Sequence, residues 1–227
     1  MPSDFPLLTQ LVSYPVVGHA LARYDLPDKW GTRTMTISMY QASVPVFTRL
    51  LGNCAAFLQK AETYALTRDT DAYPLLEQRL APDMFPLKIQ VQILADGVRG
   101  CTARLARHEL PAPDDWRYAV FNRGYHQDFQ ESEQNFATLT AYIRDTVDYL
   151  QTIRPDEIDG TEELPVEVTW RGNTRHFQGL PFLRDYVLPN FYFHLTISYA
   201  ILRIAGVPLG KQDFEGMPVY VSVPTLG

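Results

Sequence analysis

The stretch Leu188–Gly206, LPNFYFHLTISYAILRIAG, limits what this chain can fold into more than any other. Pro189 at its start, and Gly206 followed by Pro208 at its end, are helix punctuation. Phe191, Leu195, Ser198, Leu202 and Ala205 recur at helical spacing. Tyr192, Phe193, Ile197, Tyr199, Ile201 and Ile204 make the other faces apolar too. A helix apolar all round is usually covered on more than one side, so the rest of the chain is expected to pack around this one. Its polar exceptions, Asn190 and His194, are four residues apart and share a face.

Three further helices are expected. In the first, from about Ser38 to Arg68, Tyr40, Val44, Phe47, Leu51, Cys54, Leu58 and Ala61 form a core stripe. Pro45 removes a backbone donor, which predicts a kink or a late start near Ser43. A polar link comes next, with a short helix at Pro74–Arg79, and then the rigid turn APDMFP. The second helix runs from Pro86 to about Arg107, with Leu87, Val91, Leu94, Val98, Cys101 and Leu105 inward. Ile89 and Ile93 lie opposite that stripe, and Gln90 sits at its edge, where a buried amide must find partners. Residues 108–128 hold two prolines and four large aromatics and read as a long connection of the kind that forms lids or contact surfaces. The third helix covers about Gln130–Ile153 and is stopped by Pro155. Val166–Trp170 and Thr174–Phe177, around a turn at Arg171-Gly172-Asn173, read as a β-hairpin. Gly210–Gly216 reads as a polar turn region. The fold class is therefore mainly all-α: a four-helix bundle with a small β-hairpin before the last helix. Residues 1–34, with four prolines, form an N-terminal extension, 35–216 the bundle domain and 217–227 a tail.

Composition narrows the setting. A net charge of −6 disfavours a nucleic-acid or anionic-membrane surface. No apolar run reaches the roughly 18 residues that suggest a membrane span. Both cysteines, Cys54 and Cys101, fall on apolar stripes, so buried thiols in a reducing, cytoplasmic setting are expected. The first residues lack the basic and apolar pattern of a signal peptide.

The segments MTISMYQASVPVF (35–47), RLAPDMFPLKIQVQ (79–92), LPNFYFH (188–194) and SYAILRIAGVPLGKQDFEG (198–216), with the hairpin, resemble an uncharacterised bacterial and fungal family, number nineteen-ninety-three of the domains of unknown function. That family is placed with the DinB/YfiT-like helical bundles. The resemblance implies a four-helix bundle and, as in many DinB-like proteins, a dimer. Relatives often hold a divalent metal on three histidines, one early in helix two and two that are four apart in helix four. The corresponding places here are Gln90, Asn190 and His194. Two amides and one imidazole are a poor donor set for zinc or nickel, so no metal cofactor is expected, nor the metal-dependent thiol-transferase chemistry of some relatives.

His194 is the candidate catalytic residue, as a general base or substrate anchor in an interhelical pocket. Gln90, Asn190, Tyr40, Tyr192 and Tyr199 are the candidate ligand-binding residues. Asp83 reads as a cap for helix two. Two functions stand as expectations. One is a small-molecule-binding protein or metal-independent enzyme using the pocket around His194. The other is a non-catalytic homodimeric module, with the apolar backs of helices two and four at the interface.

Overall fold

Ser43 decides where the first long helix begins. Pro45 has no N–H to give, and the Ser43 Oγ turns back to donate to the Met39 carbonyl at 2.7 Å. Regular helix α1 therefore spans Val44–Leu66, burying Phe47, Leu51, Cys54, Leu58 and Ala61. Tyr40, the first member of the expected stripe, stays in the turn ahead of it. The computed structural model of the protein describes residues 36–110, 135–170 and 173–218, and its helices and strands all belong to the unit that begins at Ile37. The extension 1–34, the aromatic segment 112–127, the expected start of the third helix at Gln130 and most of the tail lie outside the described residues.

The short helix α2 (Tyr73–Glu77) leads into α3 (Leu87–Ala106). All six residues of the expected α3 stripe are buried, and Ile89 packs with Phe85 and Ile93 in a small separate cluster. Helix α4 (Phe136–Thr152) is capped by Asn135, whose Oδ1 accepts from the Thr138 N–H at 2.9 Å. It buries Phe136, Leu139, Ile143 and Leu150. Pro155, expected only to end this helix, also opens the short α5 (Pro155–Ile158). Strands β1 (Pro165–Trp170) and β2 (Asn173–Gln178) pair antiparallel, with Val168 opposite Arg175. Asn173 pairs with Trp170, so it belongs to the strand and not to the turn. Val166 and Val168 point into the core while Glu167 and Thr169 face out, the alternation of a half-buried strand.

The last long helix differs from its expected form. Helical backbone starts at Gly179, not Leu188: α6 (Gly179–Pro181), a π-helical stretch (Phe182–Val187) and α7 (Leu188–Ile204) succeed one another without a break. Pro189 thus lies inside a helical run rather than at its beginning. A proline there lacks one helix hydrogen bond and crowds the carbonyl four residues back. The wider π turn just before it relieves that crowding. The tail end differs too, because Lys211–Glu215 forms a short helix, α8, instead of a turn. Asp213 accepts from the Gly210 N–H at 2.8 Å and pairs with Lys60 of α1.

Helix α3 packs on both α4 and α7, and α1 packs on α4 and α7, closing a ring of four long helices. Phe47 of α1 meets Phe191 of α7 edge to face at 5.0 Å, a contact worth about 1 kcal/mol beyond the area it buries. Helix α7 is covered on more than one side, by α1 and α3, but not all round. Phe191, Leu195, Ser198, Ile201 and Leu202 are buried, yet Phe193 is 52% and Ile204 71% exposed. Among the described residues no helix is long and apolar enough to cross a membrane.

Candidate functional site

A cleft runs between α3 and the continuous helix 179–204, with Val168 of β1 at its side. About 430 Å3 of space lies within it and before its open mouth, of which about 30 Å3 admits the centre of a water-sized molecule. Gly97 and Gly100 on α3 keep its wall free of side chains, while Ile93, Leu94, Phe182 and Phe191 make it apolar. Five polar side chains interrupt that surface: Asp96, Arg104, Tyr186, Asn190 and His194.

His194 is held from across the cleft. Gln90 is 1% exposed. Its Nε2 donates to the Phe85 carbonyl at 3.0 Å, and its Oε1 lies 2.7 Å from His194 Nδ1. A carbonyl can only accept, so the Gln90 amide has one permitted orientation. Its oxygen faces the imidazole, so His194 Nδ1 must carry the hydrogen. Burial pulls the His194 pKa down from 6.5 to about 4, because desolvation disfavours the charged ring. The neutral ring then has a lone pair on Nε2, and no described residue bonds to it. Asn190 obeys the same logic. Its Nδ2 donates to the Tyr186 carbonyl at 2.6 Å, which leaves Oδ1 as an acceptor without a partner among the described residues.

Arg104 closes the other end. Its Nε donates to the Glu167 carbonyl and its Nη1 to the Gly100 carbonyl, both at 2.9 Å. Burial lowers its pKa, and the nearby Cys101 and Tyr186 oppose that shift. Asp96, 3% exposed, accepts from the Tyr142 hydroxyl. Cys101 also lies on the wall, its thiol pushed up to about 12 by burial.

The structure thus brings together three of the residues singled out in the sequence: Gln90, Asn190 and His194. It places the three tyrosines elsewhere, and this corrects the expected pocket. Tyr40 sits before α1, where its N–H donates to Asp159 at 2.8 Å. Tyr192 turns outward, 43% exposed, onto a second groove beside α8. Tyr199 packs edge to face on Phe57 at 6.3 Å and on Phe214 at 5.8 Å. Sequence reasoning missed Asp96, Arg104 and Tyr186. Asp96, Gly100 and Arg104 step by four along α3, a line of an acid, a gap and a base beside the core stripe. That line was a readable sign of a cleft. Tyr186 had none, since the π turn shifts the helical phase that would place it.

Gln90, Asn190 and His194 do not fit a resident divalent metal. The Gln90 oxygen is committed to His194 Nδ1, and the Asn190 nitrogen to a carbonyl. What remains is one imidazole nitrogen and one amide oxygen, short of a closed or catalytic zinc set. Among the described residues no three His, Cys, Asp or Glu side chains converge as a metal site.

No curated protein matches the chain. Among solved structures, a DinB family member protein from Shewanella denitrificans is 30% identical, with a TM-score of 0.63. That match covers 81% of this chain and 95% of the other. The bundle with a hairpin before its last long helix is therefore a DinB-like fold. The family described as "Domain of unknown function (DUF1993)" matches residues 39–215, from the turn before α1 to the end of α8, and the chain belongs to that family.

Proposed function

We propose that the cleft beside His194 binds a small organic molecule, without a metal. One observation carries this reading: a half-buried imidazole, fixed in one tautomer by a buried glutamine, with its unprotonated Nε2 unpartnered among the described residues. Nε2 is not sealed in the core, where Gln92 Oε1 is the buried side-chain atom without a partner among the described residues, so a molecule entering the cleft can donate to Nε2. Asn190 Oδ1 adds a second open acceptor one turn away, and the walls between them are apolar, the mixture typical of ligand sites. A general base works best with a pKa near the working pH. At about 4 the His194 ring is always ready to accept but is a weak base, which favours an anchoring role over proton abstraction.

Phenol and benzamide, small aromatics that carry hydrogen-bond donors, are suitable probes. Amide spectra of the protein should shift at Ile93, Leu94 and Phe191, and those shifts should vanish in His194→Phe. Shifts scattered over the surface, or unchanged in the variant, would contradict the site. The metal-free part has its own check. Elemental analysis should find far less than one transition metal per chain, and stoichiometric zinc or nickel lost in His194→Ala would overturn it.

A second reading, a homodimeric module without chemistry, is favoured by a different observation. Phe193 and Ile204 leave a large part of α7 exposed, and apolar surface of that kind often marks an interface. The Phe193 ring packs edge to face on His194 at 5.2 Å, so a partner covering Phe193 would border the cleft, and the two readings share one edge of the helix.

A further inference from the structure

Arg104 is a cation on the cleft wall that an anchoring role for His194 leaves unused. It is half-buried, and it spends two of its five N–H donors on backbone carbonyls. Neither partner carries a charge. No carboxylate of the described residues forms an ion pair with it, and the groups that act on it electrostatically are Cys101 and Tyr186. The acid on the same wall, Asp96, is engaged with Tyr142. A guanidinium partly withdrawn from water, with no counter-charge among the described residues, is a ready partner for an anion. In a protein of net charge −6, a cation that no acid of the described residues pairs with has its charge open to a ligand. The Tyr186 hydroxyl stands beside it and accepts from Arg175 Nη1 at 3.4 Å, so its own hydrogen remains free to donate.

We propose that the ligand of this cleft is a small monocarboxylic acid, its carboxylate held by the Arg104 guanidinium and the Tyr186 hydroxyl, its apolar body along Ile93, Phe182 and Phe191, and a hydrogen-bond donor turned toward His194 Nε2 or Asn190 Oδ1. This rests on the cleft being a ligand site. The planar guanidinium matches a carboxylate through paired hydrogen bonds. Arg175, bonded to the Tyr186 hydroxyl, is a second cation nearby, but the walls between are apolar, and a dianionic phosphate monoester loses more on leaving water than a monocarboxylate does. Arg104 bonds back to Gly100, whereas His194 bonds to Gln90. These two levels are about 15 Å apart along α3 by the helical rise, so the ligand is elongated, with its polar groups at opposite ends.

The test is calorimetry on the full chain with three probes: p-hydroxyphenylpropionate, its neutral amide and phenyl phosphate. The acid should bind at least about tenfold more tightly than the amide or the phosphate. Arg104→Gln should bring the acid down to the level of the amide. Because Arg104 also ties α3 to β1, a second variant guards against misfolding. In Gly100→Ala the new Cβ falls 2.9 Å from Arg104 Nη1, so the guanidinium is displaced while alanine favours the helix. It should lose the preference for the acid with unfolding no easier than in the parent. Equal binding of acid and amide, tighter binding of the phosphate, or unchanged acid affinity in both variants would overturn the proposal. If acid and amide bind alike and both are lost in His194→Phe, the ligand site stands and the anion assignment fails. If neither binds at millimolar concentration, both readings fail.

Discussion

His194 shows how one residue's surroundings set its chemistry. Its folded pKa of about 4 lies below the ordinary 6.5, so in that interval the unfolded chain takes up a proton that the folded chain refuses. Stability is therefore complete above about pH 6.5 and falls as the pH drops toward 4, by up to about 3 kcal/mol. Urea unfolding at about pH 7 and about pH 4.5 should show this loss in the parent. The loss should be clearly smaller in His194→Gln, which has no proton to take, and equal losses would place the acid sensitivity elsewhere. Cys54 and Cys101 make a second prediction at this scale. Both are free and buried, and burial raises both thiol pKa values, so there is almost no thiolate to react. A disulfide reagent at neutral pH should label neither until the chain is unfolded, and fast labelling of Cys101 would mean that the cleft opens widely. At residue scale the sequence was half legible. Gln90, Asn190 and His194 were visible as polar breaks in apolar helices. The tyrosines were misplaced because a hydroxyl on an apolar face can point along either edge of the helix, and spacing alone does not choose.

The element that organises the cleft is the continuous helix from Gly179 to Ile204. Its entry depends on one close approach. A Cβ on Gly179 would lie 1.9 Å from the Thr161 carbonyl oxygen, while the next residue, Leu180, donates its N–H to the Glu162 carbonyl at 2.9 Å. Backbone meets backbone there, so no side chain can yield. Gly179→Ala should cost about 1–3 kcal/mol or more in chemical unfolding. Gly52→Ala, in α1 with open space around its Cβ, should be neutral or stabilising. A tolerated Gly179→Ala would mean that the hairpin does not seat against this turn. Phe177 of β2 packs at a tilt on Tyr186 at 5.1 Å and on Phe182 at 5.4 Å, so disturbing this entry would also disturb the cleft wall. The four apolar stripes were legible because burial at steps of three and four is what makes a helix pack. The π turn was not. It arises from Pro189 meeting a helix that began earlier, and periodicity read from Leu188 onward treats that proline as a start.

At the scale of the molecule, the ring of α1, α4, α3 and α7 was foreseeable, because four amphipathic stripes joined by short links have few ways to bury their faces. What covers the outer side of α7 was not, since that depends on surfaces beyond the stripe. Phe193 at 52% and Ile204 at 71% exposure support the proposal that a second copy of the chain packs there, two-fold dimers being the commonest assemblies. Sedimentation at micromolar concentration should give a species of twice the 25.9 kDa chain mass. The double variant Phe193→Ser/Ile204→Ser should shift it to the monomer. A parent that sediments as a monomer would rule out the dimer and leave the cleft as the functional feature.

A ligand in the cleft is proposed to meet an unprotonated Nε2 of His194. Nitrogen-15 imidazole spectra of the full chain test this directly, with His194→Gln identifying the signal. Near neutral pH the ring should be neutral with its hydrogen on Nδ1, and the Nε2 resonance should move when p-hydroxyphenylpropionate or phenol is added. A ring that is charged at neutral pH, that carries its hydrogen on Nε2, or that stays unmoved by both compounds would contradict that claim.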